Sequence, residues 1–110
     1  NSFPNIIYTT NNEETNINII ELKKGMKSDI LFDKVFHKII CIKGKVKIFF
    51  LYYNEQKTIT SLNTQLIVPN AKYIIEVIED SEIISVCSDF KQKENSKLFD
   101  NTTIYNKINQ

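Results

Sequence analysis

Apolar positions along this chain recur with a period of two rather than three or four, in short runs separated by turn residues. Residues 1–16, NSFPNIIYTTNNEETN, are polar apart from Phe3 and the Ile6-Ile7-Tyr8 patch, which could add one strand or form an ordered arm. From Ile17 the texture changes. INIIEL (17–22) reads as a strand closed by a Lys23-Lys24-Gly25 turn, and VFHKIICI (35–42) as a β-branched, aromatic strand closed by a tight turn at Lys43-Gly44. KVKIFFLYY (45–53) is the longest strand candidate, with Asn54-Glu55-Gln56 as a hairpin loop. KTITSL (57–62), QLIV (65–68), KYIIEVI (72–78) and EIISVCS (82–88) complete the series. Short strands with turn signals at this spacing predict an all-β sandwich or barrel. No helical stripe precedes residue 89. The tail from Asp89 is polar, and Leu98, Phe99, Ile104, Tyr105 and Ile108 are too sparse for a core element; it could pack a last strand or short helix on the barrel. The expected organisation is an arm (1–16), a barrel (17–90) and a polar tail (91–110).

Alternation also predicts faces. Val35, His37, Ile39 and Cys41 share one side of their strand, the expected barrel interior. In the next strand Val46, Ile48, Phe50 and Tyr52 form one parity, and Lys45, Lys47, Phe49, Leu51 and Tyr53 the other. The second set starts charged and turns apolar, whereas an uncovered strand keeps a polar outer face throughout. Phe49, Leu51 and Tyr53 are therefore the expected interface of a two-fold dimer, the alternative cover being the N-terminal arm or the tail.

Composition narrows the function classes. The 110 residues suffice for one core, with 42% apolar residues. The net charge is +1, and all 14 basic residues are lysine, so the arginine forks and basic stripe of a nucleic-acid interface are missing. The abundance of Ile, Lys and Asn reflects an AT-rich genome. Cys41 and Cys87 lie in apolar runs and read as buried free thiols of a reducing compartment, with a cross-strand disulfide as the alternative. No stretch is long and apolar enough for a transmembrane helix and no signal peptide opens the chain; the start at Asn1 suggests a piece of a longer protein.

Candidate chemistry is sparse. His37 is the lone histidine, the cysteines lack basic neighbours, and two glycines cannot build a phosphate loop. Glu76, Glu79, Asp80 and Glu82 read as a solvated hairpin end.

Spacing carries one resemblance. Gly25 and Gly44 bracket Leu31, Asp33 and His37 at intervals of five, one, three and six intervening residues, and Pro69 follows Asn63 after five intervening residues and stands ahead of Ala71, Ile74 and Ile78. This frame resembles the two motifs of the cupins, with only the glycines and the proline retained. The resemblance implies that Leu31, Asp33, His37 and Ile74 occupy the four metal-ligand positions. Leu31 and Ile74 have no donor atom, so neither metal nor cofactor is expected, and the metal-dependent dioxygenase reading falls. Within the cupins, ELKKGMKS (21–28), FHKIICIKGKVKIFF (36–50), LIVPNAKYIIEV (66–77) and SEIISVCS (81–88) resemble the C-terminal domain of centromere protein C. That likeness implies a non-catalytic homodimerisation module at the nuclear kinetochore. Its partners would be a second copy of itself and other kinetochore proteins, with no nucleic acid or membrane bound by this domain. The alternative is a metal-free small-molecule cupin, either a sugar-nucleotide isomerase or epimerase or a ligand sensor, with Tyr52 or Tyr73 beside His37 in its lumen.

Overall fold

The computed structural model describes residues 5–11, 15–32, 35–88 and 105–107. Eight strands follow in chain order: β1 (Asn5–Asn11), β2 (Thr15–Leu22), β3 (Met26–Ser28), β4 (His37–Phe50), β5 (Glu55–Thr60), β6 (Thr64–Ile67), β7 (Tyr73–Ser88) and β8 (Tyr105–Lys107). Every pairing is antiparallel. The all-β antiparallel expectation is met. Within the expected arm, Asn5–Asn11 is a strand laid against β2, and within the expected tail, Tyr105–Lys107 pairs with β3.

Two long strands organise the molecule. The first half of β4 (His37 to Cys41) aligns with the end of β7 (Ile83 to Cys87), and its second half (Val46 to Phe50) with the beginning (Tyr73 to Val77). One layer therefore has the order β1-β2-β7-β4-β6 and the other β8-β3-β7-β4-β5. Their inner faces meet in one aliphatic cluster that includes Ile20, Leu22, Ile39, Ile48, Ile67, Ile75 and Ile83. Alternation places these side chains: burial along β2 switches at every residue, with the even positions inward.

The turns expected at Lys43-Gly44 and near Glu79-Asp80 do not reverse the chain. Both are bends inside continuous strands. The register shifts between Cys41 and Val46, so extra residues kink β4 while pairing resumes beyond them. Gly44 adopts φ +91, and its backbone lies against Ser81, whose Cα is 2.7 Å from where a Cβ would stand. Ser81, itself buried, accepts the Lys45 N–H at 3.0 Å and donates its O–H to the Glu79 carbonyl at 2.6 Å. Ser81→Ala would leave the Lys45 N–H without this acceptor, at a cost of about 1–3 kcal/mol measurable by urea denaturation.

Candidate functional site

One end of the barrel interior is polar. Asn16 and Asn18 continue the inward parity of Ile20 and Leu22 on β2, opposite Cys87 and Ser85 of β7. Across β7, His37 of β4 stands opposite Cys87. All five are at most 7% exposed. His37 hydrogen-bonds through Nε2 to the Ser85 hydroxyl. Asn18 Nδ2 donates to Asn16 Oδ1 at 2.9 Å, and Asn16 Nδ2 donates to the Thr10 carbonyl at 2.7 Å. Hydrogen bonding is what makes burying such groups tolerable. The cluster carries no carboxylate, lysine or arginine, so it offers donors and acceptors without a fixed opposite charge.

The positions expected from spacing separate into two groups. Leu31 is fully buried and bridges Tyr73 through reciprocal backbone bonds of 2.7 and 3.0 Å, and His37 is interior as its parity requires. Asp33 lies outside the described residues. Ile74 is a correction: it is half-buried on the outer face, aligned with Phe49, while Tyr73 and Ile75 point inward. The frame counts one residue too far, because the strand enters the barrel at Tyr73, immediately after its bridge to Leu31. Of the two tyrosines considered for the lumen, Tyr73 is inside and Tyr52 is exposed.

These residues do not fit a metal. Leu31 stands where the spacing anticipates a ligand, Tyr73 takes the inward position that the spacing gives to Ile74, and among the described residues no three His, Cys, Asp or Glu side chains converge. No motif in the sequence marks Asn16, Asn18 or Ser85, although the parity of TNINIIEL places Asn16 and Asn18 on the same side as Ile20 and Leu22.

The expected interface residues do not form one strand face. β4 ends at Phe50, and Leu51–Asn54 turn into β5. Phe49 is half-buried in an outer groove of about 310 Å³ with Lys27, Lys47, Gln56, Ile74 and Glu76. Leu51 is half-buried in the turn, and Tyr53 is exposed there. The arm's described residues do not cover this region, since β1 belongs to the other layer.

The two outer faces differ sharply. Around Phe49 the surface is charge-paired: Lys47 Nζ lies 3.9 Å from Glu76 and Lys45 Nζ 3.6 Å from Glu79. The outer face of the other layer is largely apolar on its central strands. One row aligns Tyr8, Ile19, Ile84, Ile40 and Thr64; the next aligns Thr10, Ile17, Val86, Lys38 and Leu66. A groove of about 290 Å³ at its margin is lined by Phe36, His37, Lys38, Leu66 and Val86.

Both cysteines are buried, as expected, and neither forms a disulfide. Cys41 sits at the bend and donates to the Lys43 carbonyl at 3.3 Å. Burial pushes its thiol above the ordinary value of 9.0. The folded state holds this proton more tightly than the unfolded chain. The contribution is therefore whole below pH 9.0 and is lost as the pH rises through the folded-state value. Cys41→Val is expected to lessen the fall in melting temperature between about pH 9 and 11; an identical fall in both proteins would refute that assignment.

No family model and no curated protein matches the chain. Solved structures do. An RmlC-like cupin family protein with a double-stranded β-helix fold from Methanocaldococcus jannaschii superposes with a TM-score of 0.70 at 21% identity, over 84% of this chain and 88% of that one. An RmlC-like cupin from Shewanella frigidimarina gives 0.65 at 14% identity, over 72% and 69%. A variant of Bacillus subtilis oxalate decarboxylase gives 0.67 at 18% identity, over 78% of this chain and 24% of that one. At these identities the likeness is one of architecture, and it agrees with the two-layer strand order: the chain has the cupin fold, a double-stranded antiparallel β-helix.

Proposed function

We propose that this protein is a metal-independent, non-catalytic cupin that binds a small uncharged polar molecule at the polar end of its barrel. The observation that supports this most directly is the cluster of Asn16, Asn18, His37 and Ser85, without carboxylate, lysine or arginine, at one end of an interior that is elsewhere mostly apolar. Uncharged donors and acceptors, with one imidazole among them, suit hydroxyl and amide groups better than a pyrophosphate, which wants arginine or a helix N-terminus. A sugar-nucleotide isomerase or epimerase is accordingly disfavoured relative to a sensor. The cluster lies where β2 and β4 begin and β7 ends, away from the bend closed by Gly44 and Ser81.

The test is differential scanning fluorimetry with neutral monosaccharides, polyols and nucleosides. At ten times Kd a ligand stabilises by about 1.4 kcal/mol, which raises the melting temperature of a domain this size by roughly 5–10 °C. Ser85→Ala should reduce that shift by removing the hydroxyl that His37 engages. If every probe leaves both the melting temperature and the backbone amide spectrum of residues 85–88 unchanged, the reading is wrong.

A second reading is favoured by a different surface. The apolar outer face of the β1-β2-β7-β4-β6 layer suits a homodimerisation module, and the sequence likeness to centromere protein C would place such a module at the kinetochore. Pairing would there raise the effective concentration of segments elsewhere in a longer chain. The two readings use opposite sides of one layer and are compatible. Immunoprecipitation of the tagged chain with centromeric chromatin tests the kinetochore assignment, and a uniformly cytoplasmic signal through mitosis would count against it.

A further inference from the structure

We propose that the groove at the margin of the β1-β2-β7-β4-β6 layer binds a small monocarboxylate with an apolar body, its carboxylate on the Lys38 ammonium and its hydrocarbon against Phe36, Leu66 and Val86. His37, which also lines the groove, is buried and turns Nε2 inward to Ser85, so the site is separate from the interior cluster.

Strand parity builds the groove. Phe36, one residue before β4, and Lys38 share the outward side, since His37 and Ile39 are buried inward. Lys38 is in register with Val86 of β7 on one side and Leu66 of β6 on the other, and Ile40 follows it on the same face. Its nearest neighbours along and across the strands are therefore all apolar. Phe36 is 52% and Leu66 48% exposed, so the patch is open to a ligand. Its volume of about 290 Å³ stands at the lower end of the range for small-molecule sites, roughly 300–1,000 Å³.

Charge selects the occupant. Lys45, Lys47 and Lys57 each lie within ion-pair distance of a glutamate, whereas Lys38 makes no ion pair among the described residues. A single cation ringed by hydrocarbon suits a monoanion with an apolar body: the charge meets its complement while apolar surface leaves water. A phosphate is better served by arginine, which the chain lacks. An extended peptide is disfavoured by the neighbouring edge. Cys41 bonds Leu62 and Asn63, just ahead of β6, through its own C=O and N–H. By alternation Lys38 turns its backbone to β7, and the Leu66 backbone faces the free edge. That edge belongs to a strand of four residues, and the Leu66 carbonyl there accepts the Gln65 side-chain amide at 3.0 Å. A short edge with its outward carbonyl already engaged offers little to an added strand.

Backbone amide NMR titrations of the full chain with phenylpropanoate, phenylpropanol and phenylpropylammonium test the site, because these probes share one body and differ in charge. The acid should give saturable shifts at Phe36, Lys38, Leu66 and Val86 with a Kd on the order of 0.1–1 mM, as befits a ligand of about ten non-hydrogen atoms. The alcohol should bind about fivefold more weakly, and the ammonium should not bind. Lys38→Gln should bring acid and alcohol to equal affinity, and Phe36→Ser should weaken both by about tenfold. Both side chains are exposed, so both variants keep the fold. The proposal is overturned by the absence of saturable shifts up to about 10 mM acid, or by an alcohol that binds the wild type as tightly as the acid. Shifts confined to Asn16, Asn18 and Ser85 would put the ligand in the interior cluster instead. Groove amides that shift with protein concentration alone would show a second copy in the groove, and either result also overturns the proposal.

Discussion

Gly44→Ala should destabilise the protein by about 3–5 kcal/mol, while Gly25→Ala should cost only about 1–2 kcal/mol. The two glycines share the same backbone conformation, φ +91, so the torsional penalty for adding a Cβ is common to both. Their surroundings differ. A Cβ on Gly25 meets nothing within 4 Å, whereas one on Gly44 would collide with the Ser81 hydroxyl and the Asp80 carbonyl. Backbone cannot swing away as a flexible side chain can, so the bend must open or the strands must part. For a domain whose whole stability is on the order of 5–15 kcal/mol, that is a large fraction. Urea denaturation of the two variants beside the wild type measures the difference, and equal losses would show that the bend tolerates a side chain.

The same glycine shows what local pattern can and cannot reveal. Lys43-Gly44 announces positive φ, which a tight turn and a bulge both require, and only the continued pairing of β4 with β7 distinguishes them. That pairing joins residues 23 to 50 positions apart, so no short window along the chain contains it. Strand existence was legible because alternation is local. The interior placement of His37, Ile39 and Cys41 was legible for the same reason. The polar cluster was only half legible. Parity marks Asn16 and Asn18 as inward, but their company with Ser85 and His37 depends on two registers across β7. The premise that Phe49, Leu51 and Tyr53 share one strand face does not hold, because Leu51 and Tyr53 belong to a turn and strand parity ends at Phe50. The apolar outward positions of the other layer are spread over β2, β4 and β7 and become a surface only when those strands are placed side by side.

The register of β7 supplies the second large effect. Tyr73→Ala should cost about 3–5 kcal/mol, and Ile74→Ala about 1 kcal/mol or less. Motif spacing alone predicts the reverse, since it puts residue 74 inside. The structure puts Tyr73 inside with no exposed surface, its ring centroid 6.3 Å from that of Phe50, and bonds its backbone to Leu31 on both sides. Removing the ring leaves a void bounded by paired strands that cannot collapse into it, which is where large-to-small substitutions cost most. Ile74 loses only partial contact with Phe49 at the edge of a groove already open to water. Because a one-residue slip exchanges every inward and outward side chain, this pair of variants reads the register of the whole strand. Losses in the opposite order, measured by the same urea titration, would move Ser85 and Cys87 to the outer face and Ile84 and Val86 to the interior, provided the slip extends through the bend. The polar cluster and the proposed dimer face would then fall together, so both readings of function depend on Tyr73 being the residue that cannot be spared.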